Sequence, residues 1–247
     1  MEINFIITLT LILFLASIVH GSIGFGFGMI STAVVALFAD IQTTILFMLI
    51  PTMVANIMSI LSEGKFFEAL KKFWFILLLM IVGSTLGTIL LIHINSEYFK
   101  LLLAFIILVY LLQSFVRINA SFITIYPKTS TYGLGIFGGM ISGLTNVVAP
   151  LMIIYTLELK YTRKDTIQLS NLCFLFTKIG QIAVFIYFGS FTMEAFNISM
   201  MTLIGVFIGM FIGAKIKRLI DAKFYTKILK MLLFFIALTL VYQTLNF

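Results

Sequence analysis

Charge is scarce in this chain of 247 residues. Asp, Glu, Lys and Arg make up 10% of it against 62% hydrophobic residues, and the mean hydropathy is +1.18. Soluble domains are roughly 25% charged and about 45–50% apolar, so the composition excludes a water-soluble fold and indicates an integral membrane protein. Cysteine is nearly absent. The single Cys173 excludes an internal disulfide and a cysteine-based metal cluster, and it reads as a small packing residue. Long polar stretches are missing too; the longest surrounds Pro127, so no soluble domain is expected. The start, MEINF, has no Lys or Arg ahead of the first apolar run, so residues 3–20 are expected to stay in the mature protein.

Carboxylates are missing where chemistry would need them. Glu63, Glu158 and Glu194 stand at the edges of apolar blocks, and Asp40, Asp165 and Asp221 stand in loops. There is no carboxylate pair for acid–base catalysis and no acidic relay of the kind proton-coupled carriers use. No enzyme activity, metal or cofactor is expected. The net charge of +7 would suggest nucleic acid in a soluble chain, but here the basic residues lie in short loops between apolar blocks and report membrane topology. Nucleic acid is therefore not an expected partner.

What is present is a series of apolar blocks at about 3–38, 42–62, 73–94, 99–116, 131–157, 166–188, 196–214 and 226–246. A span needs ~20 residues, and six blocks fit one helix each. The block at 3–38 would run ~54 Å as a single helix. Both it and 131–157 are interrupted near the middle, at GSIGFGFGM (Gly21 to Met29) and SGLTNVVAPL (Ser142 to Leu151). Glycine, proline and polar residues break a helix, and in a bilayer the freed backbone is tolerated only where protein buries it or it lines a cavity. Each break is read as a turn between two short helices.

Residues 122 positions apart match along the chain: Gly21 and Gly143, Thr44 and Thr166, Ile45 and Ile167, Ile57 and Ile179, Ile60 and Ile182, Gly83 and Gly205, Gly87 and Gly209. The polar mid-span residues Asn56 and Lys178 coincide as well. This is an internal duplication, with a first repeat at 1–118, a linker at 119–130 and a second repeat at 131–247. If every block crossed once per half, the loop Lys and Arg residues would divide five (Lys65, Lys71, Lys72, Arg117, Lys128) against nine (Lys100, Lys160, Arg163, Lys164, Lys215, Lys217, Arg218, Lys223, Lys227). If each interrupted block enters and leaves on one side, all fall on one face except Lys100, thirteen against one. The positive-inside rule favours the second arrangement. The expected fold is therefore all-α and polytopic: two inverted-topology repeats, each an interrupted first helix or helical hairpin plus three spanning helices. Such repeats are typical of secondary transporters. Both termini are expected outside the cytoplasm.

Lys178 lies mid-span in LCFLFTKIGQIAVF, where a charged lysine costs ~2.5–3.5 kcal/mol on insertion scales. It reads as the counter-charge for an anionic substrate; the competing reading is a lysine capped by carbonyls at a broken helix. Asn56, its repeat mate, donates to substrate oxygens or bridges helices. Gln181 and Asn171, at i+3 and i−7, share the face of Lys178. Ser142, Thr145 and Asn146 stand at the second break, and His20, Ser22, Gly24, Gly26 and Gly28 at the first. Glycines let backbone N–H groups approach a ligand, and the short helices after each break would aim their N-termini at the centre, which favours an anion. His20 reads as a helix-interface residue or a pH-sensitive contact. The glycine pairs Gly83/Gly87 and Gly205/Gly209 are assigned to helix packing, and Trp74, Tyr98, Tyr126, Tyr225 and Tyr242 to the membrane interface.

These stretches resemble the TauE/SafE family, the sulfite and organosulfonate exporters of the toluene-sulfonate-uptake-permease class. The resemblance rests on GSIGFGFGMIS and VANIMSIL in the first half, and on GLTNVVAPLMIIY and SNLCFLFTKIGQIAVFIYFG in the second. It covers nearly the whole chain. The chain departs from the family pattern where STAVVAL lacks a proline, where Asn146 and Ala149 replace glycines, and where Thr177 precedes Lys178. The resemblance implies a secondary transporter in a bacterial cytoplasmic membrane that exports a sulfur oxyanion or organosulfonate such as sulfite or sulfoacetate. Expected partners are a small anion, the lipid bilayer and, as an open question, further copies of the chain. An anion channel using the same residues, a non-transporting scaffold and an intramembrane protease built on Ser142 and His20 stand as alternatives.

Overall fold

A chain in hydrocarbon must satisfy its backbone internally, which leaves helices or closed barrels. The computed structural model describes residues 3–95, 97–113, 120–217 and 222–245, and of Glu97, residues 222–229 and Leu245 it describes the backbone alone. Among the described residues every regular element is helical and none is a strand. Arg117, Arg218 and Asp221 lie outside the described residues, as do the side chains of Lys223, Tyr225 and Lys227.

The first interrupted block forms α1 (Ile3–Ile23) and α2 (Phe27–Val35); then come α3 (Ile41–Glu63), α4 (Phe66–His93) and α5 (Glu97–Leu112). Two short helices follow, α6 (Phe122–Ile125) and α7 (Pro127–Gly133). A π-helical segment (Leu134–Gly138) joins α7 to α8 (Gly139–Thr145), making one helical run up to the second break. Beyond it lie α9 (Ala149–Glu158), α10 (Arg163–Tyr187), α11 (Met193–Ile216) and α12 (Ala222–Leu245). Five of these among the described residues, α1, α3, α4, α10 and α11, are long and apolar enough to span a bilayer; shorter apolar helices cover Tyr98–Leu112, Ala149–Glu158 and Lys230–Thr244. The π segment was not foreseen: its glycine-rich LGIFG sequence carries no periodicity that separates π from α winding.

Element boundaries recur at one spacing. The helices before the breaks end at Ile23 and Thr145, those after them begin at Phe27 and Ala149, and α3 and α10 begin at Ile41 and Arg163, in every case 122 residues apart. The caps correspond too. The Asp40 carboxylate accepts from Thr43 N–H at 2.9 Å, and the Thr162 hydroxyl accepts from Asp165 N–H at 3.1 Å.

Glycines set the helix contacts. A Cβ at Gly205 would meet Thr10 and Phe14, at Gly209 Phe14, Ser17 and Ile18, and at Gly213 Ile18 and Gly21, so α1 and α11 run parallel in close contact. A Cβ at Gly83 would meet Ile136 and Met140, and at Gly87 Met140, so α4 runs parallel to the π segment and α8. Small residues let backbones approach in this way. Pro51, inside α3, cannot donate to the Phe47 carbonyl; Ser199 of α11 donates to that carbonyl instead, at 3.2 Å.

Polar contacts gather one set of turns at one end of the bundle. Lys72 pairs with Asp165 at 2.7 Å, Lys217 with Glu63 at 3.4 Å, and Gln168 donates to the Gly64 carbonyl at 2.5 Å. The α3–α4 turn, the start of α10 and the end of α11 therefore share that end. It follows that α1, α3 and α11 run towards it, and that α4, α8 and α10 run away from it.

Candidate functional site

The first break is built around His20. Gly24 has φ 101° and Gly26 φ 104°, left-handed conformations that side chains resist. A Cβ at Gly24 would also lie 2.8 Å from Ile167. Gly26 has no side chain to cap α2, and the imidazole of His20 does it instead: Phe27 N–H donates to Nδ1 at 3.1 Å. Nδ1 is then the acceptor, so Nε2 carries the ring proton and faces the Ser59 hydroxyl at 2.8 Å. Asn171 of α10 closes the break by donating from Nδ2 to the Gly24 carbonyl at 2.7 Å.

The second break is its counterpart with different side chains. Asn146 occupies the position 122 residues after Gly24 and has φ 60°; asparagine is among the few non-glycine residues that tolerate this region. Gly24 N–H donates to the His20 carbonyl at 2.7 Å and Asn146 N–H to the Ser142 carbonyl at 2.8 Å, the same i to i−4 bond in both breaks. Lys178, fully buried, donates to Asn146 Oδ1 and to Gln181 Oε1. Gln181 is itself held, since its Nε2 donates to the Gly143 carbonyl at 3.2 Å and to that of Ser142 at 3.4 Å. Asn146 Nδ2 donates across to Thr32 of α2 at 2.7 Å. Both acceptors on the ammonium are neutral amide oxygens, which disperse its charge without cancelling it.

Between the breaks lies a cavity of about 10 Å³, lined by Gly26, Gly28, Met29, Thr52, Asn56, Asn146 to Ala149, and Phe174. That is room for about one water molecule. The α2 and α9 N-termini both reach it. Thr52 Oγ1 and Asn56 Nδ2 are buried at its wall with no hydrogen-bond partner. An orphaned buried polar group costs about 1–3 kcal/mol, so two at one cavity make it the candidate place for a polar ligand atom or a water.

The family model described as Sulfite exporter TauE/SafE matches residues 9–240. The chain belongs to the TauE/SafE family. It is a multi-pass membrane transporter and not an enzyme, and membership implies a small anionic substrate and points to export of sulfite or organosulfur anions. Neither the curated proteins nor the solved structures compared with the chain give a match.

In this TauE/SafE transporter the structure sorts the sequence-predicted residues into three groups. Asn56, Asn146, Gly26 and Gly28 line the cavity. Lys178 and Gln181 stand behind Asn146, and the carbonyls on Lys178 come from side chains, not from the broken helix. The remaining residues make their hydrogen bonds at or beside the breaks. Thr145 Oγ1 donates to Ile141 O at 2.9 Å, Ser142 Oγ donates to Thr177 at 3.3 Å, and Ser22 Oγ donates to Val19 O at 2.8 Å. The Gly24 N–H donates to the His20 carbonyl at 2.7 Å and is not directed into the cavity. Asn171 serves the first break, one step removed from Lys178, because seven residues of helix separate them along the axis. With both ring nitrogens of His20 engaged at Phe27 and Ser59, no Ser142–His20 pair is assembled.

Thr52 and Thr32 were missed. Thr52 is one helical turn before Asn56, the only signal the sequence offered. Replacing Thr52 with Val removes an orphaned hydroxyl at nearly constant shape, so stability is expected to hold or to rise by about 1 kcal/mol while anion affinity falls. Thermal unfolding with and without sulfite checks both signs; a lower melting temperature in the free protein would show that the hydroxyl has a partner.

Proposed function

We propose that this protein exports a small sulfur-containing anion, sulfite or an organosulfonate such as sulfoacetate, by alternating access around the cavity between the two breaks. The observation that carries the reading is a buried, uncancelled Lys178 held on Asn146, a wall residue of the cavity where Thr52 and Asn56 stand unpartnered. Two polar side chains and two helix N-termini meet at the cavity, with the Lys178 ammonium one residue behind its wall on Asn146 and no carboxylate in the lining, and this set favours a negative ligand. The anion charge meets Lys178, and its oxygens take Asn56, Thr52 and the start of α2.

The chain is read as two inverted halves, 1–118 and 131–247, joined by 119–130. Three facts support this. The boundaries recur 122 residues apart, α1 and α8 lie against mated glycines of the opposite half, and mated helices run in opposite directions. Rocking of one half against the other would move access from face to face. The end that gathers Lys65, Lys72, Arg163, Lys164 and Lys217 is read as the cytoplasmic one, in a bacterial cytoplasmic membrane, with both termini on the opposite side. A reporter fused to the C-terminus is expected to be inactive in the cytoplasm; cytoplasmic activity would refute this orientation. For transport, proteoliposomes loaded with sulfite are expected to show saturable uptake of labelled sulfite, accelerated by the internal sulfite. Flux that is linear in concentration and indifferent to the trans side would point to a channel.

A further inference from the structure

Lys178 has two acceptors, and they are held unequally. Gln181 is fixed by two backbone carbonyls of its own half, at residues 142 and 143. Asn146 is fixed on its amide nitrogen by one hydroxyl, Thr32, which belongs to α2 in the opposite half. Of the two, Asn146 is the one a competitor can displace. It also lines the cavity, where Gln181 does not. Gly28 lies so near that a Cβ there would sit 2.9 Å from the Asn146 backbone carbonyl, so α2 closes directly over this residue. The cavity has no space for an oxyanion beside the Lys178–Asn146 contact, so an anion that reaches the ammonium must push the amide aside.

We propose that Asn146 is a positioning residue that stands in for the transported anion when the carrier is empty. Its carbonyl takes the Lys178 ammonium and its NH₂ ties α2 to that pair, which lets the empty site close and reorient with its buried charge satisfied. An arriving anion replaces the carbonyl on Lys178, and the displaced amide releases Thr32, so loading breaks the tie between α2 and α10. This inference rests on Lys178 as the anion-binding charge.

The consequence is a split between net efflux and exchange. Net efflux requires the empty carrier to return, whereas exchange runs on loaded carriers in both directions. Sulfite is the probe, with affinity read by isothermal titration of the purified full chain and flux read in proteoliposomes. Asn146→Ala removes the competing acceptor. It is expected to bind sulfite about ten-fold tighter, the scale of one hydrogen bond to a charged group, and to lose net efflux while exchange falls much less. Asn146→Asp supplies a carboxylate that holds the ammonium permanently and is expected to weaken sulfite binding at least about ten-fold. Thr32→Val cuts the tie alone and leaves the acceptor on Lys178, so it should slow net efflux and tighten sulfite binding by less than Asn146→Ala does. If Asn146→Ala does not fold at this left-handed position, Asn146→Gly, which accepts φ 60° and likewise removes both contacts, takes its place with the same expectation. Weaker sulfite binding in Asn146→Ala, with net efflux and exchange reduced equally, would overturn the proposal and make Asn146 a ligand or a scaffold residue. Wild-type affinity in Lys178→Met, or no binding of sulfite, sulfate, thiosulfate or sulfoacetate by the wild-type chain, would instead overturn the functional reading beneath it.

Discussion

Lys178→Met is expected to abolish sulfite efflux and counterflow while the protein remains folded in the membrane. The substitution keeps the length of the side chain and removes a charge that has no opposite charge among its hydrogen-bond partners, only the Asn146 and Gln181 oxygens. Removing a buried charge recovers its desolvation cost; exchanging a whole buried ion pair for apolar groups of similar volume is often neutral or stabilising by about 1–4 kcal/mol, which sets the scale. Against this stand two amide oxygens left without their donor, which costs about 1–3 kcal/mol each. These opposing contributions are of similar size, so the melting temperature should move little while flux disappears. That divergence separates a transport role from a structural one. Lys178→Arg is expected to fail as a rescue, because the fully enclosed site has no space for the guanidinium fork. Flux at wild-type level in the methionine variant would remove the lysine from the mechanism.

The second large effect is on folding. Gly87→Leu and Gly209→Leu are each expected to destabilise the protein by at least about 3 kcal/mol, at the upper end of overpacking penalties. In both cases the new Cβ would strike a backbone carbonyl, of Met140 or of Phe14, which no rotamer change can relieve. The helices α4 and α8, or α1 and α11, would have to separate along their length. The two positions are 122 residues apart and meet partners in mated segments, so the penalties should be similar. Fluorescence-detected size exclusion of tagged variants checks this: loss of the monodisperse peak is expected for both. A stable variant at either glycine would show that its helix pair tolerates separation, and that the mated contacts are unequal.

Much of the architecture was legible because it depends on composition and period. Long apolar runs specify helices that cross a bilayer, since unpaired backbone cannot persist there. The breaks were legible because glycine at Gly24 and Gly26 and the polar cluster at Asn146 disrupt helical winding locally. The glycine pairs were legible as packing sites through their spacing. Several features were hidden for the opposite reason. The π turn at Leu134–Gly138 leaves no mark in a glycine-rich run. Phe47 and Ser199 look unrelated until α3 and α11 come together and the serine serves the carbonyl that Pro51 leaves free. His20 looked like a pH-sensitive contact or an interface histidine, and only the loop back to Phe27 shows it to be the cap of α2.

The sequence by itself determined a helical membrane protein with two interrupted elements, a buried lysine and no buried acid, because those properties follow from which residue types are present and how far apart they stand. Only the tertiary structure decided which of these residues stand together. Thr52 and Asn56 acquire meaning because packing strips them of partners at one cavity, and Asn146 because the fold sets it between Lys178 of one helix and Thr32 of another. Hydrogen bonding across residues 32, 146 and 178 depends on three-dimensional position, which no local pattern encodes. The break at Asn146 began as a polar interruption in an apolar block, and the fold set it between the buried Lys178 of α10 and Thr32 of α2.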